Sequence, residues 1–178
     1  MMYCAFFRGI NLNGVKMTMT TIKERFEEIG FRNIVTVLAT GNVIFCADDD
    51  MDEFDIVKRI VDDLSSYYNR EVFIFLKTKE EVKDILGHSM SYDSKTYNLY
   101  WMLVDDVSMR NTIYNEFDAA TAMKGEQVLI NGDELYWLVP KGFTLKTPFG
   151  KVLGKKKYKA HLTSRNLNTI KKILSKMQ

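Results

Sequence analysis

The order in which strand-like and helix-like segments alternate constrains this fold more than any other sequence feature. Residues 3–10 form an apolar run typical of a buried strand, and apolar residues then recur at helical spacing up to residue 30. Residues 34–47 are β-branched and aromatic, with a break at 40–42 that predicts a hairpin. A second helical pattern over 54–68 and an apolar run at 72–76 follow. The first 78 residues therefore predict the order β-α-β-β-α-β, that of a ferredoxin-like unit.

The same order returns in the second half. Residues 99–104 predict a strand, and Ser108 is expected to cap the next helix. Asn131-Gly132 is a strong hairpin signal between two apolar runs. A glycine-containing basic segment at 141–160, a short strand near 161–165 and a last helix complete the pattern.

These patterns predict an α+β fold of two similar ferredoxin-like (β-α-β-β-α-β) subdomains packed together, plus a C-terminal helix. The predicted boundaries are 1–78 for the first subdomain, 79–96 for a helical linker and 97–178 for the second. The linker opens with a capping-box pattern from Thr78 to Glu81.

Helical spacing also predicts which residues of two helices face inward. For the second helix the predicted inward residues are Phe54, Val57, Val61, Leu64 and Tyr68, and for the helix after Ser108 they are Met109, Ile113, Phe117 and Ala120. Trp101 and Trp137 lie in predicted strands and are expected to pack in the core or on a sheet face.

Composition is that of an ordinary soluble chain: 46% of its 178 residues are hydrophobic and 27% are charged. No apolar run approaches the roughly 20 residues of a membrane-spanning helix, and the N-terminus lacks the basic region of a signal peptide. A cytoplasmic protein without a membrane partner is expected. Cys4 and Cys46 are expected to be buried thiols, and with two distant histidines no metal or cofactor site is predicted.

Charge is distributed unevenly along the chain. Residues 141–178 contain eleven Lys and Arg and no acid, a charge of +11. The other 140 residues hold 14 basic and 23 acidic residues, a charge of −9, so the total is +2. Such a segment can attract phosphates, or it can dock on the acidic part of its own chain.

The loop after the first strand is the first candidate site, with Arg8, Gly9, Asn11, Asn13 and Gly14. Glycines let the backbone turn and approach a ligand closely, and exposed N–H groups can form an anion-binding concavity. An arginine adds a bidentate contact to phosphate or carboxylate. The alternative is a structural turn with Arg8 in an internal ion pair.

A second cluster at 163–169 resembles that loop, because both combine an arginine with asparagines at a strand end. Its candidate residues are Thr163, Arg165, Asn166 and Asn168. Unpaired N–H groups at a helix start attract anions, although plain capping explains the same residues. If the two halves pack side by side, both clusters and the turn Thr40-Gly41-Asn42 are expected to line one cleft.

A basic patch in the tail is the third candidate. Lysines with an interleaved tyrosine, Tyr158, suit a nucleic-acid backbone with one stacked base, whereas a solvated amphipathic helix is the plainer interpretation. The patch consists of Lys151, Lys155, Lys156, Lys157 and Lys159.

Several of these segments occur together in a known family. They resemble the bacterial "domain of unknown function 1697" family. Its pattern F-L-R-G-I-N-V-G-G is similar to Phe7-Arg8-Gly9-Ile10-Asn11 with Gly14, its pattern S-G-N-V-V-F to Thr40 to Phe45, and its pattern T-x-R-N-W-N-T to Thr163 to Thr169. The chain departs from them at Asn13, Thr40 and Leu167, where glycine, serine and tryptophan are usual; Leu167 removes any stacking there. The resemblance implies a cytoplasmic protein of two ferredoxin-like subdomains and no established activity. Its signatures fall on polar and glycine positions, which favours a ligand site.

Three functions stay open from the sequence. The first is a binding module whose cleft holds a nucleic-acid backbone or a phosphorylated small molecule. The second is a small enzyme on a phosphate- or carboxylate-bearing metabolite, with Arg8 and Arg165 holding the substrate and His161 or a threonine assisting, although no catalytic residue is assigned. The third is an interaction protein whose basic tail docks on its own acidic half or on a second copy.

Overall fold

The computed structural model describes residues 1–9, 11–12 and 15–178. Within these ranges the chain divides into two compact units, Met1–Lys83 with Lys171–Gln178, and Asp84–Ile170. Each unit contains one four-stranded antiparallel sheet.

The first unit has the strand order of a ferredoxin-like fold. Its elements are β1 (Met2–Arg8), β2 (Asn11–Leu12), β3 (Val15–Lys16), α1 (Met19–Glu28), β4 (Arg32–Thr36), β5 (Asn42–Cys46), α2 (Glu53–Tyr68) and β6 (Phe73–Thr78). The sheet order is β4-β5-β1-β6, and β2 pairs with β3 as a separate two-stranded ladder. The order predicted for the first 78 residues is therefore confirmed.

The second unit repeats this order. After α3 (Lys79–Gly87), its elements are β7 (Tyr97–Val104), α4 (Val107–Asn115), β8 (Gln127–Asn131), β9 (Glu134–Pro140), α5 (Pro148–Leu153), α6 (Lys156–Lys159), β10 (Leu162–Asn166) and the start of α7 (Leu167–Lys176). The sheet order β10-β7-β9-β8 places the strands in the same relative positions as in the first sheet. The α+β fold with two such arrangements and a C-terminal helix is confirmed.

Aromatic rings fill the first core between the sheet and its helices. Phe26 of α1 lies 5.2 Å from Phe45 of β5, and Phe31 lies 4.6 Å from Phe45, both between ring centroids. Alternation along β1 sends Tyr3, Ala5 and Phe7 into this core.

The predicted inward face of α2 is wrong in part. The helix buries Ile56, Ile60 and Leu64, whereas Phe54 is 74% exposed. Two neighbouring apolar stripes run along this helix, about 100° apart. Asp52 caps the helix by accepting from the Asp55 N–H, which places Phe54 in the solvent-facing first turn.

Helix α4 begins and ends earlier than predicted. Its N-cap is Asp106, whose carboxylate accepts from the Met109 N–H at 2.8 Å, so Ser108 lies inside the helix. The last helical residue is Asn115, and Ala120 lies beyond it and is exposed. Of the predicted inward residues within the helix, Ile113 is buried.

The central strands of the second sheet carry buried aromatic residues on both faces. Trp137 packs with Phe149 and Tyr158 in the core on one face. On the other face Trp101 and Tyr136 are also buried, and the Tyr136 hydroxyl donates to the Ile85 carbonyl oxygen of α3 at 2.7 Å. This sheet therefore does not present its central aromatic residues to solvent.

Candidate functional site

The opening loop and the turn 40–42 lie at the same end of the first sheet. Strand β1 ends there at Arg8, opposite Phe73, where β6 begins, and β5 begins there at Asn42. The Phe7 N–H donates to the Gly41 carbonyl oxygen at 2.8 Å. The structure thus brings Arg8 and Gly9 close to Thr40, Gly41 and Asn42.

Two glycines allow the backbone to turn at this end. Gly9 has φ +68° and Gly41 has φ +74°, left-handed conformations that residues with a Cβ adopt at a cost. Of the other residues predicted in the opening loop, Asn11 lies in β2, and Asn13 and Gly14 lie outside the described residues.

Arg8 contacts an aromatic ring of the neighbouring strand. Its guanidinium carbon lies 4.2 Å from the centroid of the Phe73 ring. Such a cation–π contact contributes about 0.5–1 kcal/mol at a partly exposed site. The contact places the guanidinium over the Phe73 ring at this end of the sheet.

Arg70, which the sequence did not single out, holds both ends of the loop. Its Nη2 donates to the Gly9 carbonyl oxygen at 2.9 Å and lies 2.9 Å from the Met17 sulfur. The first contact joins residues 61 positions apart, so no local pattern predicts it. Arg70 therefore contacts the chain at Gly9 and at Met17, on either side of the segment that joins them.

Asn42 uses its amide inside the fold. The side chain is fully buried, and its Nδ2 donates to the Val37 carbonyl oxygen at 2.8 Å and to the Thr40 hydroxyl at 2.9 Å. These bonds close the turn between β4 and β5. At this turn Thr40 is exposed to solvent, whereas Asn42 is not.

The cluster at 163–168 also bonds largely within its own unit. Arg165 is buried, and its Nη1 donates to the Thr163 hydroxyl and to the Ser164 carbonyl oxygen, both at 2.9 Å. Asn166 donates to Asn98 at 3.2 Å and caps α7 by accepting from the Asn168 N–H at 2.9 Å. This cluster belongs to the second unit and the opening loop to the first, so their shared cleft stays a prediction.

His161 forms a surface pair with Asp105. Its Nδ1 lies 2.9 Å from an Asp105 carboxylate oxygen, and the Asp105 N–H donates to the His161 carbonyl oxygen at 3.1 Å. The pair joins the end of β7 to the start of β10. His161 is thus held by a carboxylate, while the guanidinium of Arg165 is turned inward.

The basic patch lies on two short helices, α5 and α6, and its lysine side chains point to solvent. We call this set the lysine surface: Lys151, Lys155, Lys156, Lys157 and Lys159, all exposed. Among the described residues, one carboxylate forms a salt bridge with it, since Lys157 Nζ lies 3.2 Å from Glu116. The surface therefore keeps most of its positive charge.

Tyr158 cannot serve as the stacking residue expected from the sequence. Its ring is buried in the second core, and its hydroxyl donates to Glu116. That hydrogen bond, with the one from Lys157, holds the pKa of the Glu116 carboxyl below its usual range. The tyrosine instead fixes α6 against the sheet, with the lysines outward.

A groove in the first unit is lined by more acidic than basic residues, unlike the lysine surface. Its volume is about 460 Å³ and it is open to solvent. The lining residues are Asp50, Met51, Asp55, Lys58, Arg59 and Asp62. Three carboxylates against two cations make it a poor site for an anion. Nowhere in the described ranges do three or more His, Cys, Asp or Glu side chains gather in a way that could hold a metal ion.

The family model described as "Protein of unknown function (DUF1697)" matches residues 1–136. The chain belongs to this family. The match covers the opening loop and the turn 40–42 but ends before the lysine surface. No curated protein matches the chain.

Among solved structures, the chain is similar to the conserved bacterial protein SP0830 from Streptococcus pneumoniae. The TM-score is 0.79 at 19% sequence identity, and the superposition covers 99% of this chain and 97% of that one. At this identity the likeness supports the fold alone. None of the helices in the described ranges combines the length and hydropathy that crossing a membrane requires.

Proposed function

We propose that this DUF1697 protein binds the phosphodiester backbone of a nucleic acid through the lysine surface. The observation that carries the proposal is the exposure of five lysines within nine residues, with one salt bridge to them among the described residues. Phosphate contacts by lysines are independent of base sequence and supply most of the affinity in non-specific binding.

Basic residues of the first unit are arranged differently, because many lie beside a carboxylate. The pairs are Lys23–Glu27, Arg25–Asp63, Arg32–Asp48, Lys58–Asp62 and Lys83–Glu80. Apart from the part-buried Arg25–Asp63 pair, these pairs are exposed and contribute little to stability, but each pair cancels a positive charge that would otherwise attract a polyanion. Within the lysine surface, Lys157 alone has such a partner in the described part of the chain.

The shape of the lysine surface favours a backbone over a phosphorylated small molecule. Small anionic ligands bind in concave sites where several donors converge on one group. Here the lysines are spread over two short helices, and each ammonium group lies at the end of a flexible side chain. Such separate point charges suit the repeated phosphates of a strand.

Another common mode of RNA binding by ferredoxin-like folds does not fit the second unit. RNA-recognition domains stack bases on exposed aromatic residues of the sheet. In the second sheet Trp101, Tyr136 and Trp137 are all buried. The proposed contact is therefore on the helices, and a nucleic-acid ligand agrees with the cytoplasmic location expected from the sequence.

Two alternatives receive less support from the geometry. An enzyme that holds its substrate with Arg165 would have to break the internal hydrogen bonds of that buried guanidinium. An interaction protein that docks its tail on residues 48–63 would need carboxylates that instead pair with basic residues of the first unit, as Asp48 does with Arg32.

The test is binding of a fluorescein-labelled 20-nucleotide oligonucleotide, followed by anisotropy between 25 and 200 mM salt. The variant Lys155→Ala/Lys156→Ala/Lys159→Ala removes three lysines of the surface that form no salt bridge in the described part of the chain. The control Lys171→Ala/Lys172→Ala/Lys176→Ala removes the same charge from exposed positions of α7. We expect the first variant to bind more weakly and to lower the salt slope by about 2, since each phosphate contact contributes roughly 0.7 on a single strand.

Equal losses in the two triple variants would show that overall charge, and not this surface, attracts the nucleic acid. Absence of binding at 25 mM salt would remove the proposal altogether. Inorganic phosphate at millimolar concentration is expected to compete weakly, because one phosphate cannot contact all of these lysines.

A further inference from the structure

We infer that the bound nucleic acid is single-stranded and that its bases stack on a loop beside the lysine surface. This loop, which we call the apolar loop, runs from Phe143 through Thr144 and Leu145 to Lys146. The inference rests on the proposed function and adds the class of ligand to it.

The apolar loop exposes two large hydrophobic side chains. Leu145 is 82% exposed and Phe143 is 39% exposed. Lys146 Nζ lies 5.3 Å from the centroid of the Phe143 ring, so a cation accompanies the aromatic face. Exposed apolar groups surrounded by basic residues are a recurrent arrangement in proteins that bind single strands.

Hydrogen bonds give this loop a defined shape. The Lys146 N–H donates to the Phe143 carbonyl oxygen at 2.8 Å, and the Thr147 N–H donates to the same oxygen at 3.2 Å. The buried Thr147 hydroxyl then caps α5 by accepting from the Gly150 N–H at 3.0 Å. Phe143 and Leu145 are therefore presented by an ordered turn.

Close packing holds the same turn against α5. A Cβ placed on Gly150 would lie 1.9 Å from the Thr144 carbonyl oxygen, a distance that no side chain tolerates. The Thr144 carbonyl oxygen therefore packs directly on the α5 backbone at Gly150, the residue before Lys151. The apolar loop thus packs against α5, the helix that carries Lys151.

A single strand fits the apolar loop and the lysine surface better than a duplex or a membrane. In a duplex the bases are stacked on each other and present only their edges, so Phe143 would have no base face to contact. Two hydrophobic side chains bury too little surface to anchor a protein on a bilayer, where even one acyl chain gives marginal binding. In a single strand the bases can stack on an aromatic ring while lysines hold the phosphates.

The experiment compares a labelled single-stranded 20-mer with its duplex, using the full chain. Phe143→Ala and Leu145→Ala remove the exposed side chains, and Phe54→Ala is the control, since Phe54 is an exposed phenylalanine of the first unit. We expect Phe143→Ala to weaken single-strand binding by about 5- to 30-fold and Leu145→Ala by less, with duplex binding nearly unchanged. Phe54→Ala is expected to bind like the unmodified chain.

A second pair of variants tests the position of the loop without changing any of its side chains. Gly150→Ala displaces Thr144, whereas a Cβ on Gly154 would lie 3.5 Å from the Lys151 carbonyl oxygen, an ordinary contact. We expect Gly150→Ala, checked for folding by circular dichroism, to reduce the preference for single strands and Gly154→Ala to keep it.

The outcomes distinguish failure of this inference from failure of the proposed function. Equal affinity for duplex and single strand, or no loss in Phe143→Ala, would overturn the inference, while a loss in the lysine triple variant would still support the proposed function. No binding of either oligonucleotide at low salt would overturn both. Binding to vesicles of phosphatidylglycerol and phosphatidylcholine that depends on Phe143, without such dependence for the oligonucleotide, would assign the loop to a lipid surface and overturn the inference.

Discussion

Polar residues that look available in the sequence are partly used to hold the fold. Asn42 lies within the family match, and Arg165 lies in the segment 163–169 that resembles a family pattern. Both are buried, with hydrogen bonds to nearby main-chain carbonyls. The lysines at 151–159, by contrast, are exposed. At the residue scale, therefore, these two polar residues contribute hydrogen bonds within the fold.

Asn42→Ala is expected to lower stability without changing oligonucleotide affinity. The substitution removes an amide that donates to Val37 and Thr40 and leaves the buried Val37 carbonyl oxygen without this donor, at a cost of about 1–3 kcal/mol. Urea unfolding measures the loss. Thr40→Ala, which removes an exposed hydroxyl, should cost less; a stable Asn42→Ala variant with impaired binding would instead make Asn42 a ligand contact.

Tyr158→Phe is expected to weaken the attachment of α6 in a pH-dependent way. The Tyr158 hydroxyl and Lys157 hold the pKa of Glu116 below its ordinary value of 4.5. A carboxyl with a lowered folded pKa stabilises the fold above its unfolded pKa, and this contribution is lost as the pH falls through the folded pKa. The difference in Tm between the two proteins should therefore be full at pH 7 and narrow below about pH 4.5. A difference that stays constant with pH would contradict this.

Local signals predicted some helix boundaries at the element scale and missed others. The capping box of α3 forms as expected, because Thr78 and Glu81 exchange hydrogen bonds over three residues. The face of α2 could not be read from spacing, since two apolar stripes compete and tertiary packing selects Ile56, Ile60 and Leu64. The order of strands and helices along the chain was predictable because strands and helices differ in hydrophobic periodicity.

Thr78→Ala is expected to destabilise the protein by about 1 kcal/mol through loss of the α3 cap. Burial raises the pKa of Glu81, but hydrogen bonds from Thr78 and Lys77 outweigh it and leave that pKa lowered. Glu81→Ala should therefore cost stability at pH 7 and less as the pH falls below about 4.5. Glu80→Ala is the matched control, since Glu80 is exposed and pairs with Lys83. Equal effects of the two glutamate variants would argue against the capping box.

The whole molecule combines a predictable scaffold with contacts that no local pattern reveals. The contact between Arg70 and Gly9 joins distant residues, and the seating of Thr144 on Gly150 depends on an exact backbone approach. Neither contact produces a periodic residue pattern in the sequence. The candidate surface was nevertheless partly predictable, because the excess of basic residues at 141–178 can be counted in the sequence. The role of Tyr158 was not, because it depends on burial.

Tryptophan fluorescence tests which face of the second unit binds. Trp101 and Trp137 are buried, and the Trp137 Nε1–H donates to Glu126 at 3.0 Å. A ligand on the helices should leave the emission maximum unchanged at saturation. A marked shift or quenching would indicate that bases reach the sheet, as they do in RNA-recognition domains.

The most direct measurement is lysine acetylation footprinting with mass spectrometry, with and without a saturating single-stranded oligonucleotide. The proposed function predicts several-fold slower acetylation at Lys151, Lys155, Lys156 and Lys159 in the complex. Lys171, Lys172 and Lys176, which are also exposed, should react at the same rate in both samples. Protection of the α7 lysines alone, or of lysines in the first unit with none at 151–159, would contradict binding at the lysine surface.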